Sequence, residues 1–290
     1  MSAPTLRSVV VNDTELAYLE QGSGPLALCL HGFPDTAHSW RFLLDDLADG
    51  GFRAVAPFQR GYAPSAVPAD GRYQTGVLAM DAIALHEALG GGDDAVVIGH
   101  DWGAMAATGA AVHAPDRWRR IVTMAVPPGP AAGAALLGDL GQLKRSWYMF
   151  FFQSPLADMI VPANDLAFID MLWSDWSPGY DGAADAARVK DALGDPAHLA
   201  AALGYYRATL GAGYVDPGLA DVQAACFAIP TQPMLYIHGR TDGCMGVEIV
   251  DAARASSPPN VRWEVVDRAG HFLQVEQPAA VNALVLEHLR

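Results

Sequence analysis

The chain has 290 residues, 51% of them hydrophobic and 17% charged, which excludes a disordered, charge-rich polypeptide and leaves ample material for a buried core. Eighteen basic and 32 acidic residues give a net charge of −14, a balance that repels phosphate backbones and anionic membranes and argues against nucleic-acid or membrane partners. Three scattered cysteines (Cys29, Cys226, Cys244) form no CxxC pair, and residues 1–20 hold no basic segment leading into an apolar run, so a cytoplasmic protein without disulfides is expected.

Residues 8–11 and 15–20 alternate in polarity around Asn12-Asp13 and read as an antiparallel hairpin. Residues 26–30 are a continuous apolar run, the pattern of a strand buried on both faces, and end in the loop His31-Gly32-Phe33-Pro34. Helical spacing follows at 39–48, a strand at 52–56, and a long helix at 73–89 closed by Gly90-Gly91-Gly92. A strand at 95–98, an Ala-rich helix at 102–113 and a strand at 121–126 continue the alternation, which resumes with strands at 234–237 and 261–266 and helices at 246–255 and 279–289. Such alternation predicts an α/β fold with a mostly parallel central sheet. Between Pro127 and Pro230 it stops, and helices are expected at roughly 136–152, 165–173, 184–193 and 196–210, rich in aromatics. The predicted organisation is a core of residues 1–127 and 230–290 with an inserted helical cap, 128–229, over the edge where open α/β sheets bind ligands.

The densest motif is Gly99-His100-Asp101-Trp102-Gly103, at the junction of a buried strand and a helix. It is the G-x-S-x-G nucleophile elbow with aspartate in the serine's place: a tight turn that thrusts its central residue up at the strand's end and leaves the next amide free to bind an oxyanion. Asp242 and His271 follow the last two predicted strands, in the order nucleophile, acid, histidine that such a sheet requires. Taken alone, an aspartate in a turn is more often a cap and a lone histidine more often structural; it is their joint placement that makes them candidates. The Phe33 amide is the expected second oxyanion donor beside that of Trp102, with His31 bracing the loop, and His100 is read as structural. The remaining histidines show no ligand spacing and the glycines form no phosphate-binding loop, so neither metal nor cofactor is expected.

Aspartate is ionised at neutral pH and can displace a leaving group at an sp³ carbon, forming an alkyl ester. Water activated by His271, oriented by Asp242, would then attack the ester carbonyl of Asp101 itself. An epoxide leaves as an alkoxide and needs a proton donor, and tyrosine suits the role. Tyr206 is the candidate, on the stripe Leu199, Leu203, Tyr206, Leu210 of the helix started by Asp195-Pro196, whereas Tyr205 points elsewhere.

These residues resemble the α/β-hydrolase-fold epoxide hydrolases of soluble, bacterial type. The matching pieces are His31-Gly32-Phe33-Pro34, Ser39-Trp40-Arg41, Arg60-Gly61-Tyr62, the Asp101 elbow, Tyr206-Arg207, Asp242 and Gly270-His271-Phe272. The resemblance implies the α/β-hydrolase fold and conversion of an apolar epoxide and water to a vicinal diol through Asp101, Asp242 and His271. One departure stands out. The family's first cap tyrosine commonly lies in a Tyr-Phe-Gln segment, and the corresponding residues here are Phe151-Phe152-Gln153. Tyr148, one turn earlier, then replaces it, or Tyr206 acts alone. Phe33, Trp102, Phe151 and Trp147 are expected to line the pocket. The alternatives weighed are a haloalkane dehalogenase using the same nucleophile, for which Phe33 offers no side-chain halide donor, and a non-catalytic binder of apolar ligands, which would not need all three polar residues. A homodimer is left open.

Overall fold

The computed structural model describes residues 3–290. Among them eight strands form one sheet: β1 (Thr5–Val11), β2 (Thr14–Gly22), β3 (Leu26–Leu30), β4 (Arg53–Pro57), β5 (Val96–His100), β6 (Arg120–Met124), β7 (Met234–Gly239) and β8 (Val261–Val266), in the order β1-β2-β4-β3-β5-β6-β7-β8. β1 and β2 are the antiparallel hairpin, with Asn12 and Asp13 at its turn in left-handed backbone that these two residue types tolerate well. β2 pairs antiparallel with β4, and every pairing from β4 onward is parallel. All residues of β3, β5 and β7 are buried, as their unbroken apolar runs require of strands covered on both faces.

Core helices cover the sheet: α1 (Arg41–Asp49), α2 (Thr75–Ala88) and α3 (Trp102–His113), with α12 (Glu248–Ala255), α13 (Leu273–Glu276) and α14 (Pro278–Leu289) at the C-terminal end. Between β6 and β7 lie only helices: α4 (Ala131–Gly138), α5 (Leu140–Arg145), α6 (Trp147–Phe151), α7 (Ala157–Ile160), α8 (Ala163–Trp176), α9 (Ala183–Leu193), α10 (Pro196–Leu210) and α11 (Ala220–Ala225). The chain has the α/β-hydrolase architecture, a mostly parallel sheet with a helical insertion. No helix among the described residues is long and apolar enough to cross a membrane.

The single helix expected at 136–152 is in fact three, α4, α5 and α6. Asp139 ends α4 with extended backbone and caps the next helix through Gly141 N–H, and Ser146 breaks α5 from α6. Gly138 and Gly141 flank the first break, so little helix propensity opposes it. By contrast, α10 spans the predicted residues, with Asp195 accepting from Ala197 N–H, Pro196 at its first turn and Gly211 left-handed at its end.

Candidate active site

The sheet's C-terminal edge gathers the candidate residues. His31 to Pro34 leave β3, Asp101 follows β5 directly, Asp242 lies in the loop after β7, and His271 in the loop after β8. Asp101 sits at φ 54°, ψ −120°, a conformation an L-residue adopts only under compulsion. The compulsion comes from close packing of the elbow. A Cβ at Gly103 would overlap the Leu30 carbonyl, and one at Gly32 would overlap the Asp101 side chain. Those two glycines let the β3 loop close onto the carboxylate.

Asp101 Oδ1 accepts from the Phe33 amide at 2.8 Å, and the amide of Trp102, the next residue, adds its dipole to the pull on the carboxylate. Of the two expected oxyanion donors, the Phe33 amide already holds Asp101 Oδ1. The loop is braced from behind by His31. Gln59 N–H donates to its Nε2 at 3.0 Å, leaving Nδ1–H to donate to the Gly32 carbonyl at 2.8 Å. Burial lowers the His31 pKa to about 4, so it stays neutral in that role. Burial also raises the Asp101 pKa, against the opposing pull of His271 and of the Phe33 and Trp102 amides.

His271 Nδ1 donates to Asp242 Oδ2 at 3.0 Å, while Nε2 lies 3.8 Å from Asp101 Oδ2 and has no hydrogen-bond partner. Asp242 Oδ1 is held by the amides of Cys244 and Met245, each at 2.8 Å. Burial works against the imidazolium, but Asp242 and then Asp101 outweigh it, and the His271 pKa is raised overall. The inserted helices fix both loops: the Trp176 carbonyl at the end of α8 accepts the amides of Gly243 and His271, each at 3.0 Å. His100 points behind the site, its Nε2 2.9 Å from the His271 carbonyl oxygen. Asp242, Cys244 and His271 place three potential ligand atoms within 4.8 Å of one another, yet both carboxylate oxygens of Asp242 are already committed to the amides and the imidazole.

The architecture and this juxtaposition agree with the sequence comparisons. A profile of the alpha/beta hydrolase fold family matches residues 25–278. This chain belongs to that family. It is 30% identical to epoxide hydrolase A of Mycobacterium tuberculosis, an alignment covering 100% of this chain and 98% of that protein. An epoxide hydrolase of Caballeronia sordidicola is also 30% identical, over 97% of this chain and 92% of its own. The crystal structure of epoxide hydrolase A from Mycobacterium thermoresistibile superposes with a TM-score of 0.81 at 27% identity, covering 99% and 98% of the two chains. Within the family, this hydrolase stands with the epoxide hydrolases.

In this hydrolase a cavity of about 280 Å³ opens on Asp101, between the sheet edge and the inserted helices. Tyr148, Tyr206, Trp102 and Cys244 line it with the carboxylate, and Met105, Met149, Met245, Leu136 and Phe227 make most of its remaining wall apolar. The Tyr206 hydroxyl and the Trp102 indole N–H are buried without a hydrogen-bond partner. Burial, with the Asp101 charge next, holds the Tyr206 pKa well above that of free tyrosine. Tyr205, its neighbour, turns away and donates to the Arg60 carbonyl at 2.8 Å. A second depression of about 380 Å³ between α4 and α12 shares Gln142 with the first and contains none of Asp101, Asp242 and His271.

Three of the four expected pocket residues need correction. Only Trp102 lines the cavity. Phe33 is fully buried beneath it, its ring edge-on to Tyr206 at 5.1 Å, and it meets Asp101 through its amide instead. Phe151 stacks on Phe168 at 5.8 Å, and Trp147, 43% exposed, packs on Phe151 at 5.8 Å. The reason is helical phase: in α6, Tyr148 faces inward with Phe152 one turn on, while Trp147 and Phe151 share the outer side. Tyr148 lines the cavity where Phe151 does not, its ring 5.5 Å from that of Tyr206. The three methionines, Leu136, Phe227 and Cys244 were not legible as pocket residues, since they come from scattered loops and helices and carry no motif.

Proposed function

We propose that the protein hydrolyses an uncharged, apolar epoxide to a vicinal diol through an alkyl ester on Asp101. The observation that carries this reading is the two-sided hold on Asp101. Oδ1 lies on the Phe33 amide, leaving Oδ2, the oxygen nearer His271, free to attack. In the first half-reaction Oδ2 bonds to an epoxide carbon, the carbon–oxygen bond of the ring breaks, and the alkoxide takes a proton from a tyrosine. Tyr206 is the first donor, its unpartnered hydroxyl standing in the same cavity, and Tyr148 is the second.

In the second half-reaction His271 Nε2 draws a proton from water, which adds to the ester carbonyl. The Phe33 amide, joined by that of Trp102, holds the oxyanion on Oδ1, the oxygen Phe33 already binds. Collapse breaks the ester carbon–oxygen bond, the leaving alkoxide takes the proton back from His271 to complete the diol, and the remaining carboxyl proton restores the tyrosine. The charges favour this sequence. The negative Asp101 helps hold the His271 pKa up, and esterification removes that charge. The imidazole then tends to its neutral, basic form at the step that needs a base. Residues 128–229 act as a cap that supplies the tyrosines and keeps bulk water from the ester.

The Trp102 indole N–H, also unpartnered, is the one feature a haloalkane dehalogenase would exploit as a halide contact, but the two tyrosyl hydroxyls have no use in that reaction. The test is a single turnover of an aryl epoxide in heavy-oxygen water with enzyme in excess. The diol should emerge unlabelled and the label should appear in the peptide carrying Asp101. Label in the first-turnover diol would mean direct attack by water and would refute the ester route.

A further inference from the structure

The two tyrosines over Asp101 are not equivalent. The Tyr206 hydroxyl has no protein partner, whereas Tyr148 Oη lies 3.4 Å from Cys244 Sγ. Cys244 is 2% exposed and lines the cavity beside both tyrosines. Its position is fixed from two directions. Its amide donates to Asp242 Oδ1 at 2.8 Å, and its carbonyl accepts from Gln142 Nε2 of α5 at 2.8 Å. Gln142 is itself held, accepting from Gly246 N–H and donating to Ser146 Oγ, each at 3.0 Å. The thiol is thus carried on the turn that anchors the acid of the triad, and tied to the helix preceding the one that carries Tyr148.

Burial, together with the charges of Asp242 and Asp101, holds the Cys244 thiol in its protonated form. A neutral thiol can accept from a tyrosyl O–H or donate to a tyrosyl oxygen. A phenolate in this cavity, close to the Asp101 carboxylate and cut off from water, is costly unless a donor meets it.

We infer that Cys244 is a positioning residue for ring opening, acting through Tyr148. Before the reaction its sulfur holds the Tyr148 hydroxyl in place. As Tyr148 gives its proton to the alkoxide and becomes a phenolate, the Cys244 S–H turns to donate to that oxygen. The electron pair of the broken carbon–oxygen bond stays on the epoxide oxygen, the proton moves from Tyr148 to it, and the thiol keeps its own proton throughout. Tyr206 is then the free donor and Tyr148 the supported one, so the support shows most clearly when Tyr206 is removed.

This inference rests on the epoxide reading, and the experiment separates the two. Stopped-flow tryptophan fluorescence with styrene oxide resolves the rates of ester formation and ester hydrolysis. It is run on the wild type, Tyr206→Phe, and Tyr206→Phe combined with Cys244→Ala or Cys244→Ser. Cys244→Ala should slow ester formation about tenfold below Tyr206→Phe alone, the loss of one hydrogen bond to a developing charge, with ester hydrolysis within about twofold. Serine, which keeps a donor in the same place, should restore most of the loss. Equal slowing of both steps would show that Cys244 only supports the Asp242 turn and would overturn the inference. So would a serine variant as slow as alanine, or an alanine variant as fast as Tyr206→Phe alone. A wild type inert towards epoxides would overturn the functional reading itself, whereas an active wild type indifferent to Cys244 would overturn this inference alone.

Discussion

Replacing Tyr206 with phenylalanine should make the protein more stable and less active at once. The Tyr206 side chain is 1% exposed, packed edge-on against Trp102 at 5.0 Å and Phe152 at 5.0 Å, and its hydroxyl has no partner. An unsatisfied buried hydroxyl costs about 1–3 kcal/mol. Phenylalanine keeps the ring contacts and removes the orphaned group, so a gain near the lower bound, about 1 kcal/mol or roughly 2 °C in Tm, is expected. The same change removes the free proton donor from ring opening, and losing one such donor costs about a hundredfold in rate. Tyr148→Phe should be closer to neutral in stability, because its hydroxyl is already engaged by Cys244. Thermal and urea unfolding give the stability difference, and single-turnover fluorescence gives ester formation. A Tyr206→Phe enzyme that is destabilised by 1 kcal/mol or more (about the size of the predicted gain), or that forms the ester at the wild-type rate, would refute the reasoning.

Burial raises the Asp35 pKa from 3.8 to about 7. A raised pKa in the folded state means stability that is full below the unfolded value and is lost as pH rises through about 7. Asp35→Asn should therefore flatten that decline, gaining at most about 4 kcal/mol at pH 8 and far less at pH 5 by urea unfolding; equal effects at both pH values would contradict the burial argument. Gly103→Ala should cost about 3 kcal/mol or more, because its Cβ would collide with the backbone carbonyl of Leu30, which cannot swing aside as a side chain could. A soluble Gly103→Ala variant within 1 kcal/mol of wild type by chemical denaturation, well under that overpacking cost, would show that the elbow is not close-packed.

Much of the sheet could be read from local pattern, because burial on both faces writes itself as unbroken apolar runs. Leu26–Leu30 has the predicted limits on that ground, the edge strand Val261–Val266 has them although Arg262 and Glu264 interrupt its apolar residues, and α3 and α10 begin and end at residues with evident backbone reasons. The positions of Asp101, Asp242 and His271 followed too, since each sits just beyond a strand whose place in the order is fixed. The helical insertion resisted the same reading. Its breaks at Asp139 and Ser146 depend on local side-chain hydrogen bonds that compete with the helix, and α4, Ala131–Gly138, has no buried residue to give it an apolar stripe. The inward face of α6 is likewise set by what packs against it: Trp176 at 4.9 Å and Tyr206 choose Tyr148 over Phe151. A run of five consecutive aromatic or sulfur-bearing residues, Trp147 to Phe151, carries no polar face to fix its phase. Cys244 gave no signal at all, because its partner lies 96 positions away.

The central claim is that Asp101 forms a covalent alkyl ester that only the His271–Asp242 pair can hydrolyse. Intact-protein mass spectrometry of His271→Gln, mixed separately with a panel of apolar epoxides and a panel of haloalkanes, tests it most directly. The account predicts a stable mass gain equal to one whole epoxide, mapped by peptide digestion to Asp101, and none from the haloalkanes. A gain equal to a haloalkane less its hydrogen halide, without any epoxide adduct, would make the protein a dehalogenase. An enzyme whose wild type turns over epoxides while His271→Gln accumulates no adduct on Asp101 would contradict the covalent mechanism outright.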